Sequence, residues 1–595
     1  MRFKNKKSAN GYYWNIKEYD ENLALTIYQK INISVVVSRL LATKNIKLEE
    51  VNNYLNPKIK NLLIDPYHLL DMEKAVLATY GAIIAKKNIC IFGDYDVDGI
   101  SSTALMIKFF RSIGVQVSNY IPDRVDDGYG LSETIVQKLN KKGIDFIVTV
   151  DCGISCFKAV DLANKLGIGI VITDHHIGSA EIPKAIAVVN PNRIDENTQY
   201  KYLAGVGVAF LLCIALNTHL RNSGYYKEQK IDEPNLMDML DLVALGTVCD
   251  VMPLIGLNRA FVKQGLKTFK KRSNIGLSAL CDIIDIGEID DTYHLGYIIG
   301  PRINASGRVG DANIGNRLLC CEDKFEAKKL AEQLNNFNLE RQNIEKMMLE
   351  LAVEQVERNE LYNDPVIFIE GKDWHEGVIG IIASRIKDKY NRPVIAISRD
   401  NSNFGKASCR SVDKSIDIGS IIIKAKENNL LMTGGGHAMA GGFTFDINKL
   451  GEIKDFVNEQ MKNKIDTYLE KYEKYADIVL DIGSINERVV NDMESIGPFG
   501  TDNPKPIVIL ENVVIQSAKK FGKSNEHVRC VVASANAMST VRPMIVNFFR
   551  FNDKNLSSIL FSGRQVPCDI VGTIYINKWM NLNSIQFTAE DLILE

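Results

Sequence analysis

The 11 cysteines of this 595-residue chain include no C-x-x-C pair, which excludes a zinc ribbon and a thioredoxin-like redox motif. Only Cys152 with Cys156, and the adjacent Cys320 and Cys321, lie close together, and an unpaired odd count fits a reducing compartment. No run of about 18 apolar residues occurs, so no membrane span is expected. The basic start Met1-Arg2-Phe3-Lys4-Asn5-Lys6-Lys7 has no apolar stretch of signal length behind it. A cytoplasmic protein with no membrane partner is the expectation. Excess charge of one sign is missing too, since 71 Lys+Arg against 73 Asp+Glu leave a net −2. The whole chain therefore does not advertise a nucleic-acid binder, although an acidic metal site would mask a basic surface in the sum. Histidine is scarce, with eight residues. Length alone points to roughly three to five domains.

What is present is concentrated first in Gly93-Asp94-Tyr95-Asp96-Val97-Asp98-Gly99, three alternate carboxylates behind the apolar run Ile89-Cys90-Ile91-Phe92. Alternation would place Asp94, Asp96 and Asp98 on one side of an extended backbone, where they repel unless a cation holds them. A solvated acidic turn would look the same in isolation. From about 76 to 215, however, short apolar runs alternate with helical segments: Ile89–Phe92, Val115–Ile121, Phe146–Val150, Ile168–Ile172 and Ala185–Val189. Such a pattern indicates a parallel sheet covered on both faces, whose reactive groups gather beyond the carboxyl ends of the strands. Asp94 follows one run, Asp151 follows Phe146–Val150, and Asp174-His175-His176 follow Val171-Ile172-Thr173. A single Asp at a strand end is ordinary turn chemistry; three ends with a His pair point to a metal site.

Asp250 interrupts the apolar stretch Leu242–Leu254, and a desolvated carboxylate there needs a metal, a helix end to cap or a partner such as Arg259. Carboxylates and imidazole without cysteine suit Mn²⁺ or Mg²⁺. Five Asp with a His suit two ions sharing a bridging Asp, the geometry of in-line phosphodiester hydrolysis.

Residues 1–75 read as small helices, and about 322–358 as one long connector with Ile344, Met347, Met348, Leu351 and Ala352 on its apolar face. Strands and helices alternate again over about 362–460. There Gly434-Gly435-Gly436-His437 reads as a turn, either plain or one that brings N–H groups to a phosphate. Arg302, Arg308 and Arg410 are either surface ion pairs or grips on a nucleic-acid backbone or 5′ phosphate. Arg124 is a further phosphate candidate, with Tyr129 able to pack on a sugar or base. After about 470 short strands (Ala476–Leu480, Ile507–Leu510, Val513–Ile515, Val528–Val532, Pro543–Val546, Cys568–Ile574) suit a small barrel. Lys519, Lys520, Lys523 and Arg529 around Phe521 would serve a single-strand track or a merely solvated hairpin.

Four of these motifs, Gly93–Gly99, Asp151-Cys-Gly153, Asp174-His-His176 and Gly246-Thr-Val-Cys-Asp250, resemble those of the DHH phosphoesterase superfamily, and the DYDVDG form resembles its RecJ branch. Gly300-Pro-Arg-Ile-Asn-Ala-Ser-Gly-Arg308, Trp374–Arg385 and Gly497-Pro-Phe-Gly500 are also RecJ-like, and Gly434–Gly442 resembles the DHHA1 signature. The resemblance implies an α/β fold: a parallel-sheet DHH lobe (76–321), a connector helix (322–358), an α/β DHHA1 lobe (359–465) and an OB-fold β-barrel (466–595), after an N-terminal helical segment (1–75). It implies two Mn²⁺ or Mg²⁺ ions within Asp94, Asp96, Asp98, Asp151, His175 and Asp250. His176 would stand beside the scissile phosphate as ligand or proton-transfer partner, with Asp98 and Asp174 in the catalytic set. Asn304, Ser408, Gly435, Gly436 and His437 would join Arg124, Tyr129, Arg302, Arg308 and Arg410 around the substrate. The implied activity is stepwise 5′→3′ degradation of single-stranded DNA by a monomer that relies on a helicase and a single-strand-binding protein. Cys249, Ser306 and the Lys406–Arg410 loop depart from the family pattern without removing a ligand. Rival readings are a DHH phosphodiesterase for oligoribonucleotides or cyclic dinucleotides, and a non-catalytic DNA-binding scaffold.

Overall fold

The structure is a computed structural model. It describes residues 6–124, 127–128, 130–399, 403–469, 473–522, 525–536, 542–549, 559–561, 566–579 and 582–594. In the first lobe five parallel strands lie in the order Ser118–Tyr120, Ile89–Gly93, Phe146–Val150, Gly169–Thr173, Ala187–Val189. Alternate residues enter two different cores, as a two-residue period requires. Ile89, Ile91, Val148, Val150 and Val171 face one layer of helices, and Cys90, Phe92, Ile147, Ile170 and Ile172 face the other. Both faces are therefore buried, and polar chemistry is left to the strand ends.

The 35-residue helix Lys324–Arg358 joins the lobes. Ala327, Leu330 and Leu334 complete the core of the first lobe, whereas Met348, Ala352 and Val356 enter that of the second. The expected apolar face is narrower than the sequence suggests, because Met347 and Leu351 point to solvent at 66% and 55% exposure. The second lobe is a five-stranded sheet, Thr433–His437, Ala440–Asp446, Phe404–Arg410, Val394–Arg399, Ile367–Lys372, in which only the last pair is parallel. The glycine triplet is thus a strand at the sheet edge rather than a turn. Its glycines permit close sheet packing, since a Cβ on Gly436 would stand 2.5 Å from the Ala440 carbonyl.

The C-terminal strands close a barrel. Val508–Phe521, His527–Ser534, Met544–Phe548, Leu582–Leu594 and Cys568–Trp579 pair in that order, and Cys568–Trp579 pairs back onto Val508–Phe521. The two strands expected at 507–510 and 513–515 are one strand whose register with Cys568–Trp579 shifts between Leu510 and Val513. The N-terminal region belongs to this end of the molecule. Ile27, Val37, Leu40 and Leu41 share one core with barrel residues such as Val508 and Phe587. Tyr13–Ile16, expected to be helical, is instead a strand parallel to Glu473–Ala476. Local pattern could not reveal a partner about 460 residues away, and strand pairing of this kind is set by tertiary packing. Among the described residues no helix is long and apolar enough to cross a membrane.

Candidate metal centre

Four chain segments deliver acidic or imidazole groups to the carboxyl edge of the first sheet. Asp94 leaves the strand Ile89–Gly93, and the chain turns at once into the helix Val97–Ser112. The three alternate carboxylates therefore do not line an extended backbone. Asp96 is the N-cap, its Oδ1 accepting from Asp98 N at 2.9 Å and Gly99 N at 3.0 Å, as short acidic side chains do at helix starts. Asp98 lies in the first turn and accepts from Gly205 N (2.7 Å) and Val206 N (2.9 Å) at the start of the helix Gly205–Asn222. Sequence reasoning missed these two donors; the only local signal was a glycine opening an apolar helix. Asp151 follows Phe146–Val150 in a left-handed conformation, φ 59°, and Asp250 caps the carboxyl end of the helix Leu240–Cys249.

His175 Nε2 stands 3.1 Å from Asp151 Oδ1, 3.5 Å from Asp250 Oδ2 and 3.9 Å from Asp98 Oδ2. Ligand atoms of Asp94, Asp96 and Asp151 also lie within 4.8 Å of one another, as do those of Asp98, His175 and Asp250. Buried polar atoms ordinarily find hydrogen-bond partners, yet among the described residues Asp94 Oδ1, Asp151 Oδ1 and His175 Nε2 make no hydrogen bond. Burial, then the charge of Asp96, raises Asp98 to about 7. Burial, followed by neighbouring carboxylates, also holds Asp94, Asp151 and Asp250 well above the usual carboxylate range. Burial lowers His175 to about 4, leaving a neutral imidazole whose lone pair is free to coordinate. An oxygen-rich donor set with one imidazole and no thiolate fits hard divalent cations such as Mn²⁺ or Mg²⁺. The cradle around it is glycine-lined, as a Cβ on Gly205 would lie 2.5 Å from Asp151 Oδ1 and one on Gly246 2.6 Å from Asp98 Oδ1. Asp250 does not pair with Arg259, which turns to backbone carbonyls instead.

Asp174 has a different role. It accepts from Ile154 N (2.9 Å), His175 N (2.7 Å), His176 N (3.1 Å) and His176 Nδ1 (2.8 Å), which leaves it little capacity for a metal. Burial would lower His176, but the Asp174 hydrogen bond and charge prevail and raise it to about 9. Asn190 and Asn192 donate to the carbonyls of His176 and His175 and fix the turn; neither was foreseen from the sequence.

A cavity of about 1370 Å³ opens from Asp96, Asp174 and His176 toward the second lobe, where Ser408, Arg410, Gly435, Gly436 and His437 line it. Arg308 and Arg124 line the near wall, Arg124 with its guanidinium 5.0 Å from the Tyr95 ring centre. Arg308 donates to Gly377 O (2.7 Å) and Arg410 to Ser408 Oγ (3.2 Å) and Cys409 O (2.7 Å). Neither pairs with a carboxylate among the described residues, so neither is the surface ion pair that the sequence allowed. Burial, then repulsion from Arg124, Arg341 and Arg410, lowers Arg308 to about 10. Guanidinium groups gathered on one cavity, with no carboxylate hydrogen-bonded to Arg308 or Arg410 among the described residues, favour an anion between them. The helix Glu376–Tyr390 adds its amino end, through Gly377 and Gly380.

Asn304 lies on the helix Gly300–Val309, one turn from Gly300 and from Gly307, which pack against Cys249 and Tyr95. It therefore shares the face turned to the metal cluster. Arg302 does not line the cavity; it is held half-buried on Ile298 O (2.6 Å) and Asn335 Oδ1 (3.1 Å). A residue two positions before Asn304 points to another side of a helix, so the motif's arginines separate. Tyr129 and Lys523 lie outside the described residues. On the barrel, Phe521, His527 and Phe549 form an edge-to-face cluster with centroids 5.1–5.9 Å apart. The Arg529 guanidinium sits 4.9 Å from the Phe521 ring centre.

Comparison with known proteins agrees with this architecture. Residues 88–247 match the DHH family N-terminal domain, 363–463 the DHHA1 domain and 476–591 the RecJ OB domain. The single-stranded-DNA-specific exonuclease RecJ of Bacillus subtilis is 31% identical over 584 residues, 97% of this chain and 70% of that protein. The Escherichia coli protein of the same name is 36% identical over 486 residues, 79% of this chain and 82% of that one. The crystal structure of Thermus thermophilus RecJ in complex with Mn²⁺ superposes with a TM-score of 0.76 at 25% identity, covering 97% of this chain and 79% of that one. With three domain matches in order and relatives similar over most of their length, the chain belongs to the RecJ family of single-stranded-DNA-specific exonucleases.

Proposed function

We propose that the chain is a Mn²⁺- or Mg²⁺-dependent exonuclease that degrades single-stranded DNA stepwise from the 5′ end to mononucleotides. The observation that carries this reading is a cluster around Asp94, Asp151 and His175, with Asp94 Oδ1, Asp151 Oδ1 and His175 Nε2 making no hydrogen bond among the described residues, that adjoins Asp96 and His176 on the wall of the cavity lined by Arg308 and Arg410. Two divalent ions held by Asp94, Asp96, Asp98, Asp151, His175 and Asp250 would supply an activated water and stabilise both oxygens of an in-line displacement. His176, charged at neutral pH through Asp174, carries a proton at Nε2 that it can give to a departing oxygen. Arg124, Arg308, Arg410 and Ser408 hold a phosphate, and Gly435 and Gly436 let the backbone of the strand approach the sheet edge. The aromatic and basic face of the barrel stacks and tracks the incoming strand.

In this reading the DHH lobe (76–321) performs the chemistry and the DHHA1 lobe (359–465) holds the end of the strand, across the connector (322–358). The barrel (466–595) guides the strand. Duplex DNA requires a helicase, with a single-strand-binding protein as a further partner, for a cytoplasmic monomer acting in repair and recombination. A DHH phosphodiesterase for oligoribonucleotides or cyclic dinucleotides has less use for an aromatic barrel face. A non-catalytic scaffold has no use for an intact ligand set. Purified protein with Mn²⁺ on 5′- and 3′-labelled single-stranded DNA and RNA separates the three. Mononucleotide release from the 5′ end of DNA is expected; cleavage of short RNA alone, or binding without cleavage, overturns the proposal.

A further inference from the structure

Asp250, like Asp151, is an acidic group of the cluster that no backbone N–H anchors among the described residues. Asp96, Asp98 and Asp174 are each anchored by backbone N–H donors, whereas the Asp250 carboxylate accepts none among the described residues and its side chain is 26% exposed. The next residue, Val251, is held at φ 58°. A β-branched residue in the left-handed region is strained and persists only where its surroundings over-determine it. Something must therefore brace this turn.

The brace is the segment Ile496–Asn503, which leads into the barrel. Thr501 O accepts from Leu254 N at 2.9 Å, and Gly500 packs so tightly on Leu254 that a Cβ would stand 2.7 Å from its Cδ1. On the other side of the turn, Thr292 Oγ1 donates to Phe499 O at 2.6 Å. Thr292 precedes the π-helical turn His294–Ile299, whose Leu295 O accepts from the Cys249 thiol at 3.4 Å. Both flanks of Asp250 thus rest on one short stretch of chain about 250 residues away.

That stretch is in turn fixed by Arg259, which is 2% exposed. Its guanidinium donates to Ile496 O (2.5 Å), Gly497 O (2.7 Å) and Tyr54 O (2.9 Å) and lies 4.1 Å from the Tyr54 ring centre. Asn503 Nδ2 donates to Ile496 O and Pro498 O, and Tyr54 OH closes the ring on Asn503 Oδ1 at 2.8 Å. Ile496 and Gly497 follow the helix Glu487–Glu494, so the cation also sits where the helix dipole is negative. No carboxylate pairs with Arg259 among the described residues; its hydrogen bonds hold backbone, and the backbone they hold is the brace.

We infer that Arg259 is a positioning residue for the metal centre: it locks Ile496–Asn503 against the Asp250 turn and so lets the barrel junction set where that ligand stands. The inference rests on the assignment of Asp250 as a ligand in the proposed function. The test is Mn²⁺ titration of the full-length chain, read by the electron-paramagnetic-resonance signal of the free ion, for the wild type, Arg259→Met, Arg259→Lys and Thr292→Val. Outer partners of metal ligands typically contribute 10–100-fold in affinity. Arg259→Met and Thr292→Val should each weaken one Mn²⁺ by about 10-fold, and Arg259→Lys, with fewer donors, should fall between Met and wild type. The Mn²⁺ concentration for half-maximal nuclease activity should rise in parallel, with kcat at saturating Mn²⁺ retained. Unchanged Mn²⁺ binding in folded Arg259→Met overturns the inference, as does a loss of kcat that Mn²⁺ does not restore. If Arg259→Met does not fold, unchanged Mn²⁺ binding in Thr292→Val overturns it alone. A wild-type chain that binds Mn²⁺ but leaves DNA uncut would instead sink the proposed function.

Discussion

Gly205→Ala is a small change with a large expected consequence. Gly205 opens a buried helix, and on propensity alone alanine should stabilise a helix by up to about 1 kcal/mol. Its Cβ, however, would lie 2.5 Å from Asp151 Oδ1, where ordinary contact begins at 3.4 Å, so something must move by 3.4 − 2.5 = 0.9 Å. Asp151 has little slack, since it is 1% exposed and follows its strand at φ 59°. The helix cannot retreat freely either, because its first N–H groups hold Asp98 at 2.7 and 2.9 Å. Whichever side yields, one ligand of the cluster is displaced by close to 1 Å. A misplacement of that size can cost about 10²-fold in rate, while overpacking costs about 1–3 kcal/mol in stability, too little to unfold an ordinary domain. Gly205→Ala should therefore remain folded, bind Mn²⁺ about 10–100-fold more weakly and cleave about 100-fold more slowly in single-turnover hydrolysis of labelled single-stranded DNA. A folded Gly205→Ala with wild-type Mn²⁺ affinity and rate would refute the placement of Asp151 and Asp98 at the metals.

Protons and metal should compete for the same carboxylates. Asp98 is raised from its ordinary range to about 7, with Asp94, Asp151 and Asp250 raised as well. Their contribution to metal-free stability is present below about pH 4 and is lost as pH rises through the folded values. The rise in melting temperature on adding Mn²⁺ to chelator-treated protein should thus be larger at pH 8 than at pH 5; a flat or inverted difference in thermal melts would contradict this. His176→Gln should lose about 10²–10⁴-fold in kcat while Mn²⁺ titration stays near wild type, because the imidazolium that Asp174 stabilises carries a proton on each ring nitrogen and offers the metals no lone pair. Arg410→Ala should raise KM for single-stranded DNA by about 10-fold or more, as hydrogen bonds to charged groups contribute about 1.5–3 kcal/mol. The steady-state split of KM from kcat checks it.

Much of the site was legible because its signals are local. A carboxylate directly after an apolar run identifies a strand end, and parallel strands put all such ends on one edge; Asp94, Asp151, Asp174 and the His pair were readable on that ground alone. The first-lobe strands were legible for the same reason, since Phe146–Val150 and its neighbours are apolar on both faces. Alternation misled where the chain turned: Asp94, Asp96 and Asp98 look like one face of a strand, but a helix begins at Val97 because Asp96 caps it. The glycine triplet looked like a turn because glycine composition reports conformational freedom, and only the sheet revealed that the freedom serves close packing.

The sequence by itself thus determined the fold class, the metal-binding chemistry and the segments that bring it together, because periodicity and strand-end residues act over a few positions. Tertiary structure alone decided which groups complete the site and what holds it. Gly205 and Val206 carry Asp98 from more than 100 residues away, Arg302 leaves the cavity while Arg308 stays, and Arg259 chooses carbonyls over Asp250. Each of those outcomes depends on which distant backbone groups lie within 3 Å or so of a side chain, a quantity set by the packing of whole lobes.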